Sequence, residues 1–308
     1  MNVIVDARPV KNAIAQHAIG GGTENGDNYK NVKRIFLNIE NIHSMRESLG
    51  KVKEALKDSD ISSQLINKEL LEKSNWLYHV RNILKQVDLL TKTIELNSMH
   101  LVVHCSDGWD RTSQIVSLIQ ICLDPYYRTL EGFIVLIEKE WCSFGHKFNE
   151  RLGHLINESN FTNNTNGNGK MGGAGSVLNA IKDNILNDDL ESPVFQQFLD
   201  CLYQLMRQEP NEFEYNERFL RRLVYHLYSC QYGTFLYDCE REKKQLQLEL
   251  KTRSVWDYFK SRKREFCDLQ YEEKSKKESI YPRYNDVRYW YQLYGKRDGE
   301  MNVNSEQH

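Results

Sequence analysis

The sequence predicts an α/β protein with few, early strands and a helical C-terminal half. Three short apolar runs, at Val3–Val5, Ile35–Leu37 and Leu101–Val103, are typical of buried strands. Segments whose apolar residues recur with helical spacing fill most of the chain after Ser74. We therefore expect a small central sheet flanked by many helices.

The composition is that of an ordinary globular protein long enough to bury a sizeable core. The 308 residues are 40% hydrophobic and 27% charged, and 41 basic side chains against 43 acidic ones give a net charge of −2. This balance gives no basis for nucleic-acid binding through the overall surface. No apolar run approaches the ~18 residues of a membrane span, and the N-terminus lacks the pattern of a signal peptide.

The seven cysteines include no CxxC pair. An odd number without that spacing favours free thiols in a reducing compartment over a disulfide framework or a zinc site. The sequence therefore predicts no metal centre.

The first elements can be taken in chain order. The first strand cannot extend beyond Pro9, and Gly20–Gly22 mark a loop. Because no Gly-Lys-Ser/Thr follows these glycines, the loop is not a nucleotide-binding P-loop. After the second strand, Ser44 is predicted to cap a helix that runs to about Leu56.

Further helices flank the third strand. Ser74 is predicted to cap the one before it, with apolar residues at helical spacing from Leu77 to Leu90. The one after it has a single apolar face over Ile115–Cys122 and ends before Asp124 and Pro125. Another helix is predicted over about Leu130–Trp141.

Four helical segments are predicted in the C-terminal half, at Ser192–Met206, Asn216–Cys230, Arg241–Glu278 and Trp290–Tyr294. The first begins with a Ser-Pro pair suited to the N-cap and the first helical position. The third mixes both charge signs and is expected to form solvated helices. Residues 157–176, rich in Asn and Gly, predict a flexible surface insertion within the domain.

The stretch Leu101–Gln114, LVVHCSDGWDRTSQ, carries the chemistry. Its Cys-x5-Arg spacing is by itself a weak signal, because it occurs at Cys105–Arg111, Cys122–Arg128 and Cys201–Arg207. Only the first pair follows a predicted strand, encloses a glycine, Gly108, and precedes a predicted helix. The other two pairs are predicted to be core cysteines beside surface arginines.

The loop from Cys105 to Arg111 has the parts of a cysteine-dependent phosphatase. Successive loop amides and the N-terminus of the next helix can converge on a phosphate dianion. Arg111 can bind two phosphate oxygens with its planar guanidinium, and the same positive field favours the thiolate of Cys105. The thiolate would attack phosphorus to give a cysteinyl-phosphate that water hydrolyses. Thr112 is expected to donate a hydrogen bond to the thiolate, and His104 to orient the loop.

A leaving alkoxide needs a proton, so a general acid must lie near the loop. Asp110 is the candidate because it adjoins Arg111 and the predicted helix start. The alternative for either loop aspartate is a structural role as a helix cap or as a partner of Arg111. That alternative is preferred for Asp107, whereas both roles stay open for Asp110.

The segment HCSDGWDRT resembles the myotubularins, a family of phosphoinositide 3-phosphatases with a tyrosine-phosphatase-like sheet. Similar segments are VDARP at Val5–Pro9, ENIH-x-MRESL at Glu40–Leu49, DPYYRT-x-x-GF at Asp124–Phe133 and FGHKF-x-x-R at Phe144–Arg151. With FLDCLYQL, FEYNERFL, HLYSC-x-x-GTFL and SVWDYF further on, the resemblance covers nearly all of residues 1–308, as one phosphatase domain.

The resemblance implies phosphatidylinositol 3-phosphate and phosphatidylinositol 3,5-bisphosphate as substrates, without a metal or other cofactor. It implies Cys105 as the nucleophile, Asp110 as the acid and Arg111 as the phosphate clamp. The implied substrate contacts are the loop residues Ser106, Asp107, Gly108 and Trp109, then Asn41 and Ile42 at the inositol or its 1-phosphate, and Lys147 and Arg151 at the other phosphates.

Outside the family context, Lys147 and Arg151 would be interpreted as an ordinary solvated helix face. The implied partners are a phosphoinositide headgroup at a cytosolic membrane surface and other myotubularin chains, in homo- or hetero-oligomers. The implied location is the cytoplasm, peripheral on endosomal-type membranes.

Two departures from the family pattern carry expectations. Gln16 and Ile19 stand where the family usually has Asn and Lys before the triple glycine, and the loss of a cation at Ile19 predicts weaker affinity for the bisphosphorylated lipid. Family members also carry a lipid-binding domain and earlier strands before the position of Met1. The sheet is therefore expected to be partial, with its N-terminal strands missing and its edges uncovered.

Two alternative functions stay open at this point. One is a catalytically impaired fragment that acts as a binding or regulatory partner of an active relative. The other is a protein tyrosine phosphatase, a class that usually takes its acid from a separate mobile loop.

Overall fold

A computed structural model describes residues 2–17, 22–61, 64–154, 190–269, 271–272 and 278–302. Three parallel strands form one sheet in the order β2-β1-β3, with β1 at Asn2–Asp6, β2 at Val32–Phe36 and β3 at His100–His104. Asp6 lies beside Phe36 on one side and His104 on the other. The carboxyl ends of all three strands therefore meet at one edge of the sheet, where the loop after β3 begins.

The described residues contain the α-helices α1 (Val10–His17), α2 (Ile42–Ile61), α3 (Lys68–Lys73), α4 (Trp76–Glu95), α5 (Arg111–Leu123), α6 (Leu130–Ile137), α7 (Phe148–Leu152), α8 (Val194–Gln208), α9 (Glu217–Tyr228), α10 (Glu240–Gln245), α11 (Leu248–Lys251), α12 (Val255–Lys260), α13 (Lys263–Phe266) and α14 (Asp298–Met301). Short 3₁₀ helices lie at Gly26–Asn28, Pro125–Arg128, Pro210–Glu212, Gly233–Phe235 and Tyr291–Tyr294, and a π-helix at Glu138–Ser143 continues α6. No α-helix in these ranges combines the length and apolar character needed to cross a membrane. The predicted α/β class with a helical C-terminal half is confirmed at this level.

The core holds the loop after β3 between a buried strand and a buried helix. Val3 and Val5 of β1 are buried, as is the inner face of α5, including Ile115 and Leu118. Helix α5 packs between α4 and α8, so it cannot shift without breaking contacts on two sides. The loop therefore has rigid elements at both ends, as a preorganised site requires.

Two helices begin at residues other than those predicted, because of local hydrogen bonds. Helix α2 begins at Ile42, because the Asn41 side chain accepts a hydrogen bond from the Ser44 amide (3.1 Å) and takes the capping role predicted for Ser44. Helix α4 begins at Trp76, whose amide donates to the Ser74 hydroxyl (3.2 Å). The predicted strand at Ile35–Leu37 is shifted to Val32–Phe36.

The charged stretch Arg241–Glu278 was wrongly predicted to be only solvated helices. Its apolar residues Val255, Phe259 and Phe266 are buried and join the main core. The helices there are short, and α10 contributes no buried residue, whereas α11, α12 and α13 do. The predicted helix near Trp290 is one 3₁₀ turn after a fully buried indole. The predicted insertion at 157–176 lies outside the described residues.

Candidate active site

Cys105 follows β3 at the sheet edge where the three strands end, and it is only 7% exposed. The Gly108 amide donates to the Cys105 sulfur across 3.3 Å. Gly108 adopts φ +92°, a backbone conformation that side chains with a Cβ rarely adopt. The glycine thus turns its N–H towards the sulfur, which is the start of the predicted anion-binding nest.

Arg111 is the first residue of α5 and is fixed at two points. Its Nη1 donates to the Ile39 carbonyl (3.1 Å) and its Nη2 to the Ser106 hydroxyl (3.2 Å). The Ile39 amide donates in turn to the Ala7 carbonyl just after β1 (3.0 Å). The guanidinium is therefore held between the catalytic loop and the segment that precedes α2.

His104 and a buried ion pair support the loop from the sheet side. His104 Nδ1 lies 3.1 Å from the Cys105 carbonyl oxygen, and its Nε2 lies 3.2 Å from Glu24 Oε1. Asp6, fully buried at the end of β1, accepts hydrogen bonds from the buried Arg8, the shortest at 2.6 Å from Nη2 and 2.9 Å from Nε. The hydrogen bond to Asp6 raises the pKa of Arg8. The orienting role predicted for His104 agrees with this geometry. The ion pair between Asp6 and Arg8 was not predicted, although both residues belong to the segment VDARP.

Asp110 occupies the N-cap position of α5 but makes no capping hydrogen bond within the described residues. Its carboxylate instead accepts hydrogen bonds from two residues of a later segment. His146 Nδ1 lies 3.0 Å from Oδ1, and Arg151 Nη2 lies 2.9 Å from Oδ2, with Arg151 Nε at 3.3 Å from both oxygens. Neither structural alternative considered for Asp110, a helix cap or a partner of Arg111, matches this arrangement.

Opposed effects set the protonation state of Asp110. Burial by itself raises the pKa of this carboxyl group, whereas His146 and Arg151 lower it, and the net result is a pKa of about 2. The carboxylate is therefore ionised at neutral pH in this arrangement. A carboxyl group with so low a pKa holds no proton to donate at neutral pH, and it can act as an acid only after its partners change.

His146 also contacts the backbone of the loop. Its Nδ1 lies 2.8 Å from the Trp109 carbonyl oxygen, and the ring is 1% exposed. The rings of Trp141 and Phe148 pack edge-on against it, with centroids at 4.8 Å and 4.7 Å. His146 lies within the segment FGHKF-x-x-R, but no role was predicted for it. No local sequence pattern around His146 indicates that it contacts the loop.

Lys147 and Arg151 both reach the loop. Lys147 Nζ lies 5.0 Å from the centroid of the Trp109 ring and 2.7 Å from Glu150 Oε1. Arg151 is 6% exposed, and its Nη1 donates to the Leu190 carbonyl (3.0 Å). The interpretation of this pair as a solvated helix face is therefore wrong for Arg151, while Lys147 is half-buried.

The remaining predicted residues do not contact Asp110 or Arg111 through any hydrogen bond among the described residues. Asn41 and Ile42 follow the segment that holds Arg111, but the Asn41 side chain caps α2 and the Ile42 carbonyl accepts a hydrogen bond from Ser192 (2.9 Å). Asp107 is exposed. The Thr112 hydroxyl is buried without a hydrogen-bond partner among the described residues, so the expected bond to Cys105 is not formed here. Ile19 lies outside the described ranges.

The two other Cys-x5-Arg pairs do not form sites. Cys122 and Cys201 are fully buried; burial raises the pKa of Cys122 to about 12 and that of Cys201 well above its ordinary value. Arg128 is not on the surface, as was predicted, but is buried and donates to the Glu278 carbonyl (2.7 Å). All seven cysteines are free, and no cluster of His, Cys, Asp and Glu side chains in the described ranges could hold a metal ion.

Comparison with known proteins matches residues 1–244 to the myotubularin-like phosphatase domain. The chain is 44% identical over 372 residues to the phosphoinositide 3-phosphatase of Saccharomyces cerevisiae, covering 98% of this chain and 54% of the yeast protein. It is 42% identical to the mouse phosphatidylinositol-3,5-bisphosphate 3-phosphatase MTMR6, covering 90% of this chain and 40% of the relative. It is 43% identical to the human phosphatidylinositol-3-phosphate phosphatase MTMR7, covering 82% and 34%. The chain thus spans about half or less of the length of these relatives.

Proposed function

This chain belongs to the myotubularin-like phosphatase family, and we propose that it hydrolyses the 3-phosphate of phosphatidylinositol 3-phosphate and phosphatidylinositol 3,5-bisphosphate. The observation that carries the proposal is the sulfur of Cys105, which accepts a hydrogen bond from the inward-turned Gly108 amide, in a loop whose Arg111 guanidinium is fixed by Ile39 and Ser106. The names of the mouse and human relatives supply the two substrates.

In the first step the Cys105 thiolate attacks the phosphorus atom of the 3-phosphate. A sulfur–phosphorus bond forms, the bond from phosphorus to the inositol oxygen breaks, and the electron pair of that bond stays on the inositol oxygen. Arg111 and the loop amides stabilise the charge on the equatorial oxygens. The inositol oxygen leaves with a proton, for which Asp110 is the proposed donor.

The resting geometry sets a condition on that donor. Asp110 is ionised while both His146 and Arg151 bind it, so it must gain a proton when substrate binds. Arg151 is also a proposed ligand of a substrate phosphate. If its guanidinium turns to that phosphate, Asp110 loses its partner on Oδ2, and burial then raises its pKa towards the range where it can act as an acid. The proposed role of Asp110 as the acid is therefore compatible with that of Arg151 as a ligand of a substrate phosphate.

In the second step water attacks the cysteinyl-phosphate. Asp110, left as a carboxylate by the first step, accepts the proton of this water. The sulfur–phosphorus bond breaks, Cys105 leaves as a thiolate, and inorganic phosphate is released. At neutral pH the resting Asp110 likewise carries no proton, because His146 and Arg151 lower its pKa to about 2, so it would take up the proton of this water once Arg151 has turned away.

We assign the remaining contacts on the same basis. Ser106 to Trp109 would surround the 3-phosphate, Lys147 and Arg151 would bind the other phosphates, and Asn41 and Ile42 would lie against the inositol. We further propose that the three-stranded sheet belongs to a tyrosine-phosphatase-like fold in a single phosphatase domain. The working location would be the cytosolic face of endosomal-type membranes, with other myotubularin chains as partners.

Phosphate release from a water-soluble short-chain phosphatidylinositol 3-phosphate tests this function. Wild type should release phosphate, Cys105→Ser should fall to background, and Cys230→Ser, which changes an exposed cysteine elsewhere, should match wild type. Release by Cys105→Ser at the wild-type rate would refute the proposal. A folded wild-type chain that releases nothing would favour a regulatory partner, and faster release from a phosphotyrosine peptide would favour a tyrosine phosphatase.

A further inference from the structure

One nitrogen of His146 lies between two hydrogen-bond acceptors of the catalytic loop. His146 Nδ1 is 2.8 Å from the Trp109 carbonyl oxygen and 3.0 Å from Asp110 Oδ1. A carbonyl oxygen can only accept, so Nδ1 must carry a hydrogen, and this fixes the tautomer of the ring. A single N–H therefore serves the backbone of one loop residue and the side chain of the next.

The surroundings of His146 prevent the ring from leaving this position. It is buried against the edges of Trp141 and Phe148, and its Nε2 has no hydrogen-bond partner within the described ranges. A flipped ring would put the carbon Cδ2 in the place of Nδ1 and would lose the N–H that faces the loop. The observed orientation is therefore the one that donates to the Trp109 carbonyl and to Asp110.

The two partners of Asp110 divide its carboxylate between them. His146 makes the short contact to Oδ1, and Arg151 makes the short contact to Oδ2. Of the other charged groups close by, Glu150 lies 3.6 Å from Arg151 and Lys147 lies over Trp109. When Arg151 turns to a substrate phosphate, His146 is the contact that remains to keep Asp110 in place.

We infer that His146 is a positioning residue for the phosphatase reaction, which holds the Asp110 carboxylate and the Trp109–Asp110 peptide in reacting geometry through its Nδ1–H. The inference rests on the proposed function and extends it. His146 does not touch the substrate; it acts through Asp110. Its removal should therefore affect the chemical steps and their pH dependence more than substrate binding.

Matched substitutions separate this role from simple core packing. His146→Asn can place an amide N–H where Nδ1 now lies, whereas His146→Leu fills similar volume without a donor. His146→Met is a second donor-free variant, whose flexible side chain fills irregular space if the leucine does not fold. His226→Leu is the control, because His226 is also buried against an aromatic ring, that of Tyr258 at 4.7 Å, but belongs to α9.

Steady-state kinetics on the soluble lipid should show the difference. In His146→Leu or His146→Met, kcat should fall roughly 10- to 100-fold, with KM within about twofold of wild type and the acid limb of the kcat profile displaced to higher pH by roughly one unit. His146→Asn should recover most of the loss, and His226→Leu should keep the wild-type kcat. A donor-free variant with wild-type kcat and pH profile, or an asparagine variant no better than leucine, would overturn the inference.

A second readout needs no turnover and so keeps the two proposals apart. Carbon-13 NMR of labelled aspartate carboxyl groups, with the Asp110 signal assigned by its loss in Asp110→Asn, follows this group directly. Its titration midpoint should rise by roughly one unit in the donor-free variants and stay near wild type in His146→Asn. An unchanged midpoint in His146→Leu would refute the positioning role even if the enzyme is active. An inactive wild type with the expected NMR shift would refute only the catalytic proposal.

Discussion

Replacing Arg151 by methionine should destabilise the fold by several kcal/mol, because it leaves Asp110 buried with one partner. The pKa of Asp110 lies at about 2 instead of 3.8, a difference worth about 2 kcal/mol at ~1.4 kcal/mol per unit. This figure already includes the opposing effect of burial, so the two partners together contribute more than that. Breaking a buried ion pair from one side typically costs ~3–5 kcal/mol, and we expect Arg151→Met to lose about that much at pH 7.

The assay is urea unfolding of wild type, Arg151→Met, Asp110→Asn and the double variant. Because the double variant has neither buried charge, it should be more stable than the sum of the two single losses predicts, by ~1–3 kcal/mol. Lys147→Gln is the matched control, since it removes a half-buried cation one helical turn away. The Lys147–Glu150 ion pair remains in contact with solvent, and ion pairs near the surface contribute ~0–1 kcal/mol.

The pH dependence of the loss has a definite sign. The folded pKa of Asp110 is depressed, so its stabilising contribution is complete above the unfolded value near 3.8 and disappears as pH falls through about 2. In Arg151→Met the buried Asp110 carboxyl can lose its charge by binding a proton. The difference in unfolding free energy between this variant and wild type should therefore be smaller at pH 5 than at pH 7. Three results would refute this reasoning. They are a loss of unfolding free energy under about 1 kcal/mol in Arg151→Met, additive losses in the double variant, and a difference between Arg151→Met and wild type that grows as the pH falls.

Three further outcomes follow from the same contacts. Gly108→Ala should cost ~1–2 kcal/mol for placing a Cβ at positive φ and should lower phosphate release at least tenfold, and a thermal melt with wild-type Tm and full turnover would contradict it. Burial raises the pKa of Asp200 to about 6; since the folded value exceeds the unfolded one, the stability it supports is present below about pH 4 and is lost as pH rises through 6. Asp200→Asn should therefore flatten the fall in Tm between about pH 4 and pH 7, and an equal fall in both proteins would be against it. EDTA should leave phosphate release unchanged, and inhibition that added metal reverses would point to a metal site.

The strand, loop and helix around Cys105 could be predicted because their signals are local. An apolar run, a glycine and a helical apolar face lie within a few residues of one another, and each has a direct conformational meaning. The same local signals distinguish Cys105 from Cys122 and Cys201, which have the same spacing to an arginine. Helix ends were less predictable, because Asn41 and Ser44 can both cap and only the folded chain selects one.

The environment of Asp110 could not be predicted, because its partners are distant in sequence. Arg151 lies 41 residues further along the chain, and His146 meets the Trp109 carbonyl across 37 residues. Both come from a short segment whose sequence is typical of an exposed helix, and Arg151 meets Asp110 and the Leu190 carbonyl only in the folded chain. Arg128 was predicted to lie on the surface for the same reason, since its backbone carbonyl partner belongs to Glu278, 150 residues away.

The proposed function depends on covalent transfer of the phosphate to Cys105. This transfer can be measured with lipid labelled with ³²P at the 3-phosphate, mixed rapidly with the protein and quenched in acid within milliseconds. We expect acid-stable label on the wild-type chain, carried by the peptide that contains Cys105, and none on Cys105→Ser. Turnover by wild type with no label on that peptide at any quench time, or equal labelling of Cys105→Ser, would contradict it.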